Sequence, residues 1–171
     1  MKVKTKNNYL EMLEEGCNYN FISPEKVYTV LAIYDDGYEI MNDLLEPIAY
    51  QKEFFEVVDS TIPENWVKYD RSCDNEDSDG TSYYVICHPD LSNDLIHEHF
   101  FGGELYAVDI HYKYYITNGV ITKEEWDERV KLILESKDVV PYWLEAWLDA
   151  GGHEGFMKRN KRQTINENYN M

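Results

Sequence analysis

An α+β fold, with a small antiparallel β module followed by a smaller sheet and C-terminal helices packed on it, is predicted by three features of this 171-residue chain. Four short β-rich runs separated by turn residues crowd into residues 26 to 60. Helical periodicity with a clear N-terminal cap follows Ile121. A hydrophobic content of 43%, with 15% aromatic residues, gives the chain enough apolar surface to build a core despite its charge.

The elements follow in chain order. Tyr9, Leu10, Met12 and Leu13 form one side of an amphipathic helix over residues 7 to 16, and Gly16 is placed to end it. From Lys26 the pattern turns to strands: residues 27 to 34, 38 to 41, 48 to 50 and 55 to 58. Asp35-Asp36-Gly37 supplies a hairpin turn, and Asn42-Asp43 with Glu46-Pro47 marks the next connection. Residues 70 to 80 are too polar to be buried and read as a loop, after which Thr81 to Cys87 reads as a strand. Ser92 is placed to cap a short helix reaching His99, although that segment also fits a strand. Residues 104 to 117 fit both an alternating strand and a helical stripe. Their β-branched and aromatic content, with Asn118-Gly119 as a following turn, favours the strand. Thr122 and Glu125 form a capping box ahead of Trp126, Val130, Ile133 and Leu134 on one helical face. A last short helix starts near Pro141, presents Trp143, Leu144, Trp147 and Leu148, and stops at Gly151-Gly152. The resulting division is residues 1 to 62, residues 63 to 152, and a basic, then polar tail over 153 to 171 that is expected to fray.

Tyr28-x-Val30-Leu31, Gly37-Tyr38-x-Ile40, Asp43, Glu46-Pro47, Tyr50 and Phe55-Glu56-Val57-Val58 resemble the SH3-like module of small uncharacterised bacterial proteins. Ile62 to Val67 resembles the segment that follows that module. The resemblance covers residues 26 to 60 and implies a fold without a catalytic motif. Some SH3-like domains bind proline-rich peptides through an aromatic groove, but Tyr28, Tyr34, Tyr38 and Tyr50 do not map individually onto its positions.

The net charge is −17, and it is carried by the body of the chain: residues 61 to 110 alone hold 11 acids and 2 bases. Such a field repels nucleic acid and acidic membranes and draws in basic protein surfaces. No run is apolar enough to span a membrane, and the lysine-rich N-terminus lacks the apolar core of a signal peptide. Three widely spaced cysteines suit a reducing compartment, so a cytoplasmic location is expected.

Four groups of residues have the composition of a site, and each has a plainer reading. Asn75-x-Asp77-x-Asp79-Gly80 opens like a calcium loop but has Tyr83 and Ile86 where ligands belong, so a solvated acidic loop is expected. His88, His97, His99, His111 and Cys87 are zinc-ligand types at unusual spacing. A hairpin pairing 95–101 with 104–111 puts His111 on the opposite face from His97 and His99, so no metal centre is expected. Cys87 or Cys73 with a histidine and an aspartate supplies the residue types of a hydrolase trio, as any chain with these residues does, without a recognisable enzyme motif around it. Trp143 and Trp147, one helical turn apart, form a docking pair if exposed, but such a stripe normally belongs to a core.

The expected function is therefore that of a non-enzymatic acidic protein that binds and inhibits a basic protein, as an immunity, anti-defence or nucleic-acid-mimic protein does. It calls for no cofactor, metal, direct nucleic-acid contact or membrane. The residues expected to meet the partner are Asp74, Glu76, Asp77 and Asp79, with Asp35 and Asp36 as a second edge. A peptide-binding or scaffolding module of SH3-like type and an unrecognised small enzyme are the alternatives.

Overall fold

The computed structural model describes residues 1–9, 21–70, 84–136 and 140–169. It is α+β. The strands β1 (Lys2–Thr5), β2 (Val27–Ile33), β3 (Gly37–Met41), β4 (Pro47–Gln51) and β5 (Phe55–Asp59) form an antiparallel sheet in the order β4-β3-β2-β1-β5. β6 (Val67–Asp70) and β7 (Tyr84–Cys87) pair with each other, and β7 joins the sheet through β2, with Ala32 opposite Cys87. That ladder crosses the boundary read between residues 62 and 63. The helices are α1 (Asp94–Phe101), α2 (Leu105–Thr117), α3 (Lys123–Glu135), α4 (Tyr142–Asp149) and α5 (Gly152–Tyr169).

Strand alternation places two cores on opposite faces of the sheet. Tyr38 and Ile40 of β3 pack with Val3, Tyr28, Val30, Tyr50 and Phe55. On the other face Met41 packs with the helices. The register between β2 and β3 shifts between Val30 and Ala32. This irregularity lets the adjacent Leu31 and Ala32 both serve the helix-side core. β1, which the sequence reading passed over, buries Val3 and Thr5 and lies between β2 and β5.

Two expectations are corrected on the helical side. Within residues 104 to 117, Leu105–Thr117 form α2, because the side chains that find neighbours are Ala107, Val108, His111, Tyr112, Tyr114 and Tyr115. A strand would have buried Tyr106, which is exposed. Helical packing against α1 and α4 overrides the β propensity of these residues. The segment read as a fraying tail contains most of α5. Phe156 is buried, and the Arg159 guanidinium donates to both Asp109 carboxylate oxygens (2.6 and 2.7 Å) and to the Ala150 carbonyl (3.1 Å). The segment read as a helix over 7 to 16 lies largely outside the described residues.

Other expectations hold with adjusted ends. α1 is capped by Asn93, whose Oδ1 accepts from Leu95 N (3.0 Å), while Ser92 instead donates to the Pro89 carbonyl. The capping box of α3 is complete: Thr122 Oγ1 accepts from Glu125 N and Glu125 Oε2 accepts from Thr122 N. Trp126, Val130 and Ile133 are buried, but Leu134 is exposed. Trp143, Leu144 and Trp147 are core residues.

Trp126 is fully buried, with ring centroids of Tyr112, Tyr115, Trp143 and Trp147 between 4.9 and 6.2 Å away. Trp126→Ala is expected to destabilise the protein by about 3–5 kcal/mol in urea unfolding, through lost contacts and the cavity left behind. At Gly155 an added Cβ would lie 1.9 Å from the Ala150 carbonyl oxygen. Gly155→Ala should therefore shift the start of α5 and raise hydrogen exchange across it, whereas Gly119, with open space around its Cβ position, offers no such clash.

Candidate functional site

Asp35 and Asp36 form the exposed turn between β2 and β3. Lys52 fixes this turn from below: its backbone N donates to the Asp36 carbonyl (2.9 Å) and its Nζ to the Asp35 carbonyl (2.8 Å). The turn's backbone is thus held while its residues remain exposed. Asp74, Glu76, Asp77 and Asp79 lie outside the described residues.

The helix-side face of β3 carries a group that the sequence reading missed. Glu39 is only 2% exposed, in a strand whose neighbours are otherwise apolar. The signal was present in Tyr38-Glu39-Ile40-Met41, where alternation puts Glu39 on the same face as Met41. The Tyr34 hydroxyl donates to Glu39 Oε2 (2.8 Å), and His97 Nε2 of α1 approaches the same oxygen at 3.5 Å. His111 of α2 lies beside His97, with ring centroids 5.3 Å apart. The histidines that a hairpin would have separated are therefore neighbours, because residues 104 to 117 are a helix.

His111 is fully buried, and its Nδ1 donates to the Ala107 carbonyl (2.9 Å) one helical turn earlier. That bond leaves Nε2 as an acceptor without a hydrogen-bond partner among the described residues. Burial pushes the His111 pKa down to about 4; neighbouring His97 adds to the effect, while the Ala107 carbonyl and Glu39 oppose it. Burial, reinforced by Glu39, likewise pushes the Tyr115 hydroxyl far above its usual range. Among the described residues no three histidine, cysteine, aspartate or glutamate side chains are arranged to hold a metal ion. Cys87 is buried, with its thiol directed at the His88 carbonyl (3.3 Å), and His88 Nδ1 accepts from the Asp90 backbone N (3.2 Å). His88 thus serves local turn structure.

A groove of about 400 Å³ runs between β2 and α3, lined by Tyr28, Met41, Ile121, Glu128, Arg129 and Leu132 among others. Its two cations, Lys26 and Arg129, converge on Asp43, with Arg129 Nη1 donating to Asp43 Oδ1 at 2.9 Å. Ser23 Oγ (2.6 Å) and the Tyr28 hydroxyl (3.1 Å) also donate to this carboxylate. Burial works against the Asp43 charge, but the bonds from Lys26, Ser23 and Arg129 outweigh it and hold the carboxyl below the usual range. Among the described residues no helix is long and apolar enough to cross a membrane. Comparison of the chain with protein families, with curated proteins and with solved structures finds no match.

The His111 environment sets a measurable pH dependence. The unfolded chain takes up a proton near pH 6.5, whereas the folded protein resists it down to about pH 4, so His111 costs stability progressively as pH falls across that window. Glu46, raised by burial, works in the opposite direction. The difference between wild type and His111→Phe isolates the histidine: the variant should lose less stability on acidification, by up to about 1.4 kcal/mol per pH unit. Equal pH slopes in urea unfolding would contradict this assignment.

Proposed function

We propose that this protein is a non-enzymatic acidic module that binds and inhibits a basic protein, acting as an immunity, anti-defence or nucleic-acid-mimic protein. The observation that carries the reading is the disposition of charge. Among the described residues eighteen Asp and Glu are exposed against six Lys and Arg. Several cations are instead committed within the fold: Lys26 and Arg129 to Asp43, and Arg159 to Asp109. The outward field is consequently more negative than an even mixture of surface ion pairs would produce. Carboxylates held on a folded surface match an Arg- and Lys-rich face that otherwise holds phosphates. The turn at Asp35 and Asp36 is one such edge; the acidic run Asp74, Glu76, Asp77 and Asp79, outside the described residues, is included in the proposal on its sequence alone. A cytoplasmic location belongs to the same proposal.

The groove between β2 and α3 favours a second reading, peptide binding by the SH3-like module. Its walls combine Tyr28 and the aliphatic side chains with charged residues from α3. The two readings differ in their response to salt.

A basic protein captured from the native host should bind with a Kd that rises steeply with salt. Converting Asp74, Glu76, Asp77 and Asp79 to Asn or Gln should weaken binding about tenfold or more, and adding Asp35→Asn with Asp36→Asn should weaken it further. A Kd indifferent both to salt and to these changes overturns the acidic-surface reading. Loss of binding on Tyr28→Ala, with little salt response, would assign the groove instead.

A further inference from the structure

We propose that the surface around the α1–α2 turn is a docking site for an arginine-bearing segment of the partner protein, with Tyr106 and Tyr142 as stacking faces and Glu98, Glu104 and Glu145 as carboxylate partners. This rests on the reading of the protein as a binder of basic proteins and gives that reading a place.

Three observations converge there. The first is exposed aromatic area: Phe101 is 39%, Tyr106 43% and Tyr142 66% exposed. All three lie at or against the turn Gly102-Gly103-Glu104, which joins α1 to α2 through bonds from Gly103 N to Phe100 O and from Glu104 N to His99 O. The second is a complete lack of cations in the surrounding sequence. Neither Lys nor Arg occurs from residue 72 to 112, which includes α1 and the first half of α2, nor from 138 to 157, which includes α4. Asp109 is answered by Arg159 of α5, but Glu98 and Glu145 are exposed and have no ion-pair partner among the described residues. Among the described residues Glu104 has only His99 as an ion-pair partner, at 3.8 Å.

The third is that both tyrosine rings sit against the turn and α1. The Tyr106 hydroxyl is hydrogen-bonded to His99 Nδ1, and the two rings meet edge to face with centroids 5.4 Å apart. Tyr142 lies over Gly103, where a Cβ would come within 3.0 Å of its ring and 3.1 Å of Ala146 Cβ. Gly103 also has φ +70°, so glycine is suited to this position by both space and backbone. The Tyr106 ring is bonded to its neighbour before a partner arrives, which lowers the entropy cost of docking on it. Arginine suits the arrangement better than lysine. Its guanidinium is planar and weakly hydrated, so it stacks on a tyrosine face while its edge forks to a carboxylate.

The experiment uses the full chain with an octa-arginine peptide and an octa-lysine peptide as probes, followed by calorimetry and by amide shift mapping. Wild type should bind octa-arginine more tightly than octa-lysine, with shifts centred on residues 98 to 106 and 142 to 146. The pair Tyr106→Ala and Tyr142→Ala should weaken octa-arginine binding about tenfold and erase the preference over lysine. The set Glu98→Gln, Glu104→Gln and Glu145→Gln, which leaves the rings in place, should weaken both peptides. Octa-arginine binding that survives both sets but falls with Asp35→Asn and Asp36→Asn would overturn this site and keep the acidic-surface reading. Failure of wild type to bind either peptide at low salt would overturn both.

Discussion

The aromatic packing around Trp126 is the contact on which the helical half depends. Its ring on α3 meets Tyr112 and Tyr115 of α2 and both tryptophans of α4, and Tyr112 in turn meets Phe156 of α5 at 4.9 Å. Four helices are thereby fixed through one cluster of large rings, whose offset and edge-to-face geometries add directionality to apolar burial. Burial there raises the Tyr112 hydroxyl pKa to about 12, and the group hydrogen-bonds His153 Nδ1 at 2.8 Å. α2 is held helical by this packing even though its sequence alternates like a strand.

The sheet extends the same constraint to the other half of the chain. Because β3 sends Tyr38 and Ile40 to one core and Met41 to the other, the β module and the helices share a wall. Glu39 sits in that wall on the helix side, and its placement draws in Tyr34, His97 and His111. A charged or polar group in such a position is expensive unless it is bonded. The cluster consequently joins β3, α1 and α2 through polar contacts as well as through hydrophobic ones.

Charge is distributed by the same geometry. Cations with a carboxylate near the interior, Lys26, Arg129 and Arg159, are drawn into pairs that staple α3 to the β module and α5 to α2. Many remaining acids face outward, and the α1–α2–α4 surface combines them with rings that the turn at Gly103 leaves exposed.

The strands from β2 to β5, the turn at Asp35-Asp36-Gly37, the capping box at Thr122 and the core role of Trp143 and Trp147 are legible in the residues themselves. These follow from local rules: alternation, turn chemistry and helical spacing act over a few residues and need no distant partner. Packing settles what local rules leave open: Leu105–Thr117 is helical, Gly152–Tyr169 forms α5, and His97 and His111 meet beside Glu39. Each of these depends on a surface supplied from elsewhere in the chain. An aromatic-rich segment fits a strand or a helix equally well until the shape it packs against is known, and two histidines approach only once both helices have docked on the same sheet.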